Sequence, residues 1–302
     1  MTETTTGKVG FIGLGIMGKP MAKNLLKAGY ELVVYDVVED AVAALVAEGA
    51  SAAGSPREVA ECSGDFVITM LPDSPHVRQA VADDGGILEG CRAGQIVVDM
   101  SSIAPLVSRA LAALLNEKGV DMLDAPVSGG QEKAEQGTLA VMVGGKASAF
   151  DKALPILKKM GTSVILVGES GAGQIAKLVN QTIVAVNIAA VAEGMCLAEK
   201  AGVDPRKVFE AVRQGLAGSQ CLEDKAPRMF EGRFDPGFRV NLHIKDLKNV
   251  LETGHALHNA MPLSAQLMEM MQHLAGRGCG MLDHGALALF YEKLNGVSLK
   301  KL

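Results

Sequence analysis

The sequence has no CxxC pair, no excess of positive charge and no uninterrupted apolar run, and each absence removes a class of function. Its five cysteines (Cys62, Cys91, Cys196, Cys221 and Cys279) are odd in number and scattered, which excludes a disulfide framework. They read as reduced thiols in a cytoplasmic protein. Lys and Arg number 29 against 34 Asp and Glu, giving a net charge of −5 and a pI near 5.7. Such a balance attracts neither nucleic acid nor a membrane surface. The lead over residues 1–8 is polar and lacks a hydrophobic signal region, so nothing in it directs export. A helical stretch over 174–201 is apolar, but Lys177, Asn180, Gln181, Asn187, Glu193 and Glu199 interrupt it, which argues against a membrane span. His255 and His258 lie three apart, with His273 and His284 beyond, yet no carboxylate set accompanies them, and no metal is expected. Arg228 has no basic neighbour in the second half, so the positive cluster of a sugar-phosphate site is missing. Tryptophan is absent as well, which says nothing about activity.

What is present suits packed cores. Hydrophobic residues make up 48% of 302 and charged ones 21%, and the length favours two domains. Short runs rich in Val, Ile and Phe at 9–12, 32–35, 66–70 and 95–99 alternate with helical patterns at 17–28, 38–48, 56–61, 74–82 and 105–118. Runs at 121–125, 138–143 and 163–167, with a helix over 147–160, continue the series. Strands alternating with helices imply parallel pairing, because a parallel partner needs a crossover. From Gly168 the period becomes almost wholly helical: 174–201, 204–214, 219–229, 242–258, 262–277 and 284–294. Asp204-Pro205 is a helix start, with Asp as cap and Pro in the first position. The expected architecture is α/β, a Rossmann-like doubly wound parallel sheet over residues 1–167. An all-α domain over 168–302 would follow, led by a long interdomain helix.

Gly13-Leu14-Gly15-Ile16-Met17-Gly18 follows the first strand and opens a helix. Gly13 would allow a tight turn, Gly15 a close approach of backbone to a pyrophosphate, and Gly18 the packing of helix on strand. The helix N-terminus then offers free N–H groups to the phosphates. Asp36 ends the second strand, where a carboxylate accepts from adenosine ribose hydroxyls and repels a 2′-phosphate; a plain helix cap is the structural alternative. Val37 and Val38 supply no arginine for such a phosphate. NAD is therefore the expected cofactor, with NADP as the alternative.

Three clusters carry candidate chemistry. Asp124-Ala125-Pro126-Val127-Ser128-Gly129-Gly130 ends a strand in small residues whose N–H groups and one hydroxyl suit a substrate carboxylate; a plain tight loop explains the spacing equally well. Lys177, Asn180 and Gln181 share one helical face, at i, i+3 and i+4. On residue types alone Lys177 reads better as a solvated surface charge. Lys245-Asp246 reads most simply as an exposed ion pair.

Together these segments, with the run from Phe11 to Asn24 (FIGLGIMGKPMAKN), resemble the 3-hydroxyisobutyrate or β-hydroxyacid dehydrogenase family, in the family's order and over essentially the whole chain. The resemblance reverses the reading of Lys177, which it makes the catalytic residue, with Asn180 and Gln181 at the substrate. It implies that Ser128, Gly129 and Gly130 bind the substrate carboxylate. Met70, Leu71, Pro72 and Ser101 would lie beside the dinucleotide, Lys245 against it, and Asp246 in support. Within the family, Lys133 and the segments 68–72, 99–105, 215–219 and 242–246 are most similar to the branch acting on tartronate semialdehyde. Asp36-Val37 departs from the Asp-Arg pair common there. The implied partner is a small carboxylated aldehyde or hydroxyacid, and the apolar helical half implies a homodimer or homotetramer. A silent dinucleotide-binding interaction protein is the reading from another class, and the retained Lys177 speaks against it.

Overall fold

The computed structural model describes residues 6–300; residues 1–5, the start of the polar lead, and 301–302 lie outside the described residues. Two compact units, 1–177 and 178–302, make up the chain.

In the first unit the described strands are β1 (Thr6–Ile12), β2 (Tyr30–Tyr35), β3 (Ser51–Ala52), β4 (Phe66–Thr69), β5 (Ile96–Asp99), β6 (Asp121–Asp124), β7 (Val127–Ser128), β8 (Leu139–Gly144) and β9 (Gly161–Gly168). They form one sheet in the order β3-β2-β1-β4-β5-β6-β8-β7, with β9 on β8. From β3 to β6 every pair is parallel. Side chains alternate between two buried faces: Leu32, Val34, Ile96 and Val98 join one cluster, Val33, Val67 and Val97 the other. Helices cover both faces, so these strands are apolar almost throughout. The chain reverses direction across the sheet between β1 and β4, which opens a crevice at the strands' carboxyl ends.

The parallel expectation fails at one place. β8 runs antiparallel to β6 and β7, and the partners Asp124↔Gly144, Val127↔Val141 and Ser128↔Ala140 keep a single register. β6 and β7 are thus one extended arm, interrupted at Ala125-Pro126, and β8 folds back along it as a hairpin. The connection over 129–138 holds only the short helix Gly130–Gln136 and returns directly, whereas a parallel return needs a full crossover. Ser128 therefore stands on an arm beyond the sheet's carboxyl edge.

The two units meet between Lys177 and Leu178, inside the 29-residue helix Ala172–Lys200. The first turn of that helix is hydrogen-bonded to the strand ends of the sheet, as described below, and belongs with it. By length and composition this helix could cross a bilayer. Its Ala185, Ile188, Ala192, Met195 and Cys196 are instead buried in the core of the second unit.

That core also takes Phe209, Met229, Leu247, Met271, Leu287 and Tyr291 from the surrounding helices. Asp204 caps Pro205–Val212 by accepting from Arg206 N at 3.0 Å, and Ser219 caps Gln220–Glu231 by accepting from Leu222 N at 3.0 Å. Each such cap stabilises its helix by about 1 kcal/mol. The helix expected over 262–277 ends its α-turns at Leu274 and passes into a π-turn, Ala275–Cys279, where Gly278 takes φ +84°.

Candidate active site

The loop after β1 is built around two glycines with no room for a side chain. Gly13 has φ +94°, a conformation L side chains rarely adopt, and a Cβ there would overlap the Met70 carbonyl oxygen. A Cβ at Gly18 would overlap the Gly13 carbonyl oxygen. At Gly15 nothing lies within 4 Å of a Cβ position, so the backbone is open to close approach from outside. The helix Gly18–Lys27 starts here. Leu14 N donates to Asp36 Oδ2 at 2.5 Å and Val38 N to Asp36 Oδ1 at 2.8 Å, which stations the carboxylate beside the glycine loop. Val37 is 84% exposed. Open backbone at Gly15, a helix N-terminus and an acid at the end of β2 fit a dinucleotide.

The ends of β4 and β5 are tied to this loop. Met70 N donates to the Ile12 carbonyl at 2.9 Å and Leu71 N to Ser101 Oγ at 2.8 Å. Beneath them Asp99 is fully buried, accepting from Thr69 Oγ1 at 2.8 Å and Ser101 N at 3.1 Å. Burial pushes its carboxyl up to about 6, against the pull of the Ser101 and Thr69 hydrogen bonds. A raised carboxyl favours the protonated fold, so its contribution is complete below the ordinary value near 3.8 and is lost as pH rises through about 6. Asp99→Asn, which needs no proton, should therefore gain stability relative to the parent by about 2–3 kcal/mol between pH 4 and pH 7. Urea unfolding at the two pH values measures it, and an unchanging difference would refute it.

Asp124 ends β6. Its buried carboxylate accepts from Gly171 N at 2.6 Å and Gln174 N at 2.9 Å, closing the N-terminus of the helix Ala172–Lys200 from a distance of 47 residues in sequence. Burial raises this carboxyl, and the hydrogen bonds from Gly171 and Gln174 oppose the rise. Gln174 adds two further links, Nε2 donating to the Ser101 carbonyl at 2.8 Å and Oε1 accepting from Ile103 N at 3.1 Å. Lys177 follows one turn later and is only 6% exposed, which removes the solvated surface charge that residue types alone favoured.

Ser128 is half-buried on its arm, followed by Gly129 (φ +144°) and Gly130 (φ +69°). The first unit therefore holds the residues expected at the dinucleotide, except Lys245, together with the expected carboxylate loop and Lys177. The second unit holds Asn180, Gln181, Lys245 and Asp246. There Asn180 Nδ2 donates to Gln181 Oε1 at 2.8 Å and Gln181 Nε2 to Asp246 Oδ2 at 2.5 Å. Lys245 Nζ lies 3.1 Å from Asp246 Oδ1. Asp246 is buried, so this is no exposed surface pair. Sequence reasoning did not foresee Asp99, Gln174 or the histidines described further below. An acid ending a wholly apolar strand was the available signal for Asp99.

Comparison with known proteins agrees with this geometry. Residues 8–168 match the model of the NAD binding domain of 6-phosphogluconate dehydrogenase, and 171–291 that of the NAD-binding region of NADP-dependent 3-hydroxyisobutyrate dehydrogenase. The chain is 43% identical to 2-hydroxy-3-oxopropionate reductase of Escherichia coli over 93% of its own length and 95% of the relative's. It is 39% identical to an NAD-dependent L-serine dehydrogenase of Pseudomonas aeruginosa, covering 96% and 99%. A solved 3-hydroxyisobutyrate dehydrogenase of Mycobacterium tuberculosis, with L-serine, superimposes with a TM-score of 0.88 at 32% identity, over 94% of this chain and 98% of that one. The chain belongs to the β-hydroxyacid dehydrogenase family, and it is an NAD(P)-dependent hydroxyacid dehydrogenase.

Proposed function

We propose that this enzyme reduces tartronate semialdehyde to D-glycerate, reversibly, with Lys177 handling the proton. The compounds in its relatives' names (2-hydroxy-3-oxopropionate, L-serine, 3-hydroxyisobutyrate and 2-(hydroxymethyl)glutarate) share one core. Each is a carboxylate whose α-carbon bears a CH2OH or CHO group, and only the remaining α-substituent differs. Identity of 43% to the 2-hydroxy-3-oxopropionate enzyme, together with Lys133, favours a hydroxyl there.

The observation that carries the mechanism is a lysine buried in the first turns of a helix whose start is fixed by Asp124. When bound, the nicotinamide supplies or accepts the hydride. Lys177 as an ammonium stabilises the charge that grows on the substrate's aldehyde oxygen and then donates its proton there. In oxidation the neutral amine takes the hydroxyl proton. Ser128, Gly129 and Gly130 hold the carboxylate, which fixes the aldehyde face presented to the hydride. Asn180 and Gln181 orient the substrate, and Lys245, paired with Asp246, would help hold the cofactor. Gly13, Leu14, Gly15, Ile16, Met17, Gly18, Met70, Leu71, Pro72 and Ser101 receive the dinucleotide.

Asp36 is taken to prefer NAD. Charge-assisted hydrogen bonds of this kind are worth about 1.5–3 kcal/mol, so Asp36→Ala should raise the KM for NADH by about tenfold or more and leave that for NADPH unchanged or lower. Equal losses for both would count against the ribose contact. Turnover of tartronate, methylmalonate and succinic semialdehydes tests the substrate; a preference for methylmalonate semialdehyde would overturn it. Val179, Ile183, Ala190 and Leu197 leave an exposed apolar stripe along the long helix, which supports a homodimer or homotetramer. Light scattering of the purified chain would decide that.

A further inference from the structure

Resting on that reading, we infer that Asp246, on a helix that His243 and His284 hold at Gln181, is a positioning residue that makes Asn180 present an oxygen, so that the site selects substrates with a hydrogen-bond donor on the α-carbon.

Two polar contacts join the helix Val240–Ala256 to Gln181 of the long helix. His243 Nε2 lies 3.2 Å from the Gln181 main-chain carbonyl oxygen, and Asp246, three residues on and hence on the same face, accepts from Gln181 Nε2 at 2.5 Å. His243 is wholly buried and Asp246 nearly so. A carbonyl oxygen only accepts, so His243 Nε2 must carry a hydrogen. His243 Nδ1 and His284 Nδ1 are 2.9 Å apart, a separation that admits one hydrogen between them. The two rings therefore hold at most one positive charge, and His284 fixes the orientation of His243. Phe238 packs edge-on against His243, with ring centroids 5.7 Å apart, and holds the pair in place.

The polarity of the remaining links follows. The Asp246 carboxylate accepts, which commits Gln181 Nε2 as donor and Gln181 Oε1 as acceptor. Gln181 Oε1 takes its hydrogen from Asn180 Nδ2 at 2.8 Å. The Asn180 amide is then oriented, and its remaining atom, Oδ1, is an acceptor directed away from Gln181. An acceptor so held favours an α-hydroxyl or α-ammonium and gains nothing from an α-methyl. A site built to hydrogen-bond a substrate hydroxyl rejects the analogue lacking it, because its own polar group is left unpaired.

The test compares kcat/KM for D-glycerate and 3-hydroxyisobutyrate in the parent enzyme and in His243→Leu and His284→Leu. These variants should lose about tenfold or more in preference for D-glycerate, through a raised KM for that substrate, while 3-hydroxyisobutyrate changes little. His284→Asn, whose amide can donate to His243 Nδ1, should restore the preference. Equal losses on both substrates in the folded variants would overturn the inference and assign the histidines to packing alone. The functional reading fails separately, if the parent enzyme favours 3-hydroxyisobutyrate or if Lys177→Ala keeps normal turnover.

Discussion

Lys177→Ala is expected to lower kcat by about 10²–10⁴-fold, the range contributed by a positioned proton donor, while dinucleotide affinity stays close to that of the parent. The side chain is buried in a helix whose first N–H groups are held by Asp124, so its removal leaves the glycine loop and Asp36 untouched. Lys177→Arg sharpens the assignment. A guanidinium keeps the positive charge but does not release its proton at working pH. Both directions should therefore lose turnover in this variant, because reduction needs the proton released and oxidation needs the neutral base. Steady-state rates in both directions, with fluorescence titration of NADH, measure these effects. Near-normal turnover by the alanine variant would remove Lys177 from the chemistry.

The second large effect lies in the glycine loop, where the three positions should separate by mechanism. Gly15 has open space where a Cβ would stand, so Gly15→Ala should leave the Tm of the free enzyme almost unchanged and weaken NADH binding by about tenfold or more, because the methyl group occupies the approach of the pyrophosphate. Gly18 has the Gly13 carbonyl in that space, so Gly18→Ala forces the loop apart and should cost both binding and Tm. Gly13 adds a positive φ and the Met70 carbonyl, and its substitution should be the most costly to stability. Thermal unfolding with and without NADH separates the two quantities. Should Gly15→Ala bind NADH normally, the loop is a structural turn only.

Most of this could be read from residue order. Alternating Val and Ile runs with intervening helical periods announce a parallel sheet because strands buried on both faces need apolar residues at nearly every position. The glycine loop and the place of Asp36 beside it were legible for the same local reason: each position is set within one βαβ unit. The hairpin of β6, β7 and β8 was not legible, since a strand's direction depends on how its connection returns, and the helix Gly130–Gln136 is too short to show a period. The burial of Lys177 was not legible, since residue types alone favour a solvated surface charge there. His243 and His284 meet across 41 residues and carried no local signal at all.

Asp124 ends the strand whose continuation carries Ser128, and the same carboxylate ties down the helix that carries Lys177. The arm that carries Ser128 and the helical turn that carries Lys177 are thus two jaws on a common pivot inside one folding unit. Their gauge is fixed before any cofactor or second unit takes part. Shortening that pivot, as in Asp124→Ala, should loosen both jaws at once, so that substrate affinity and turnover decline together rather than one without the other.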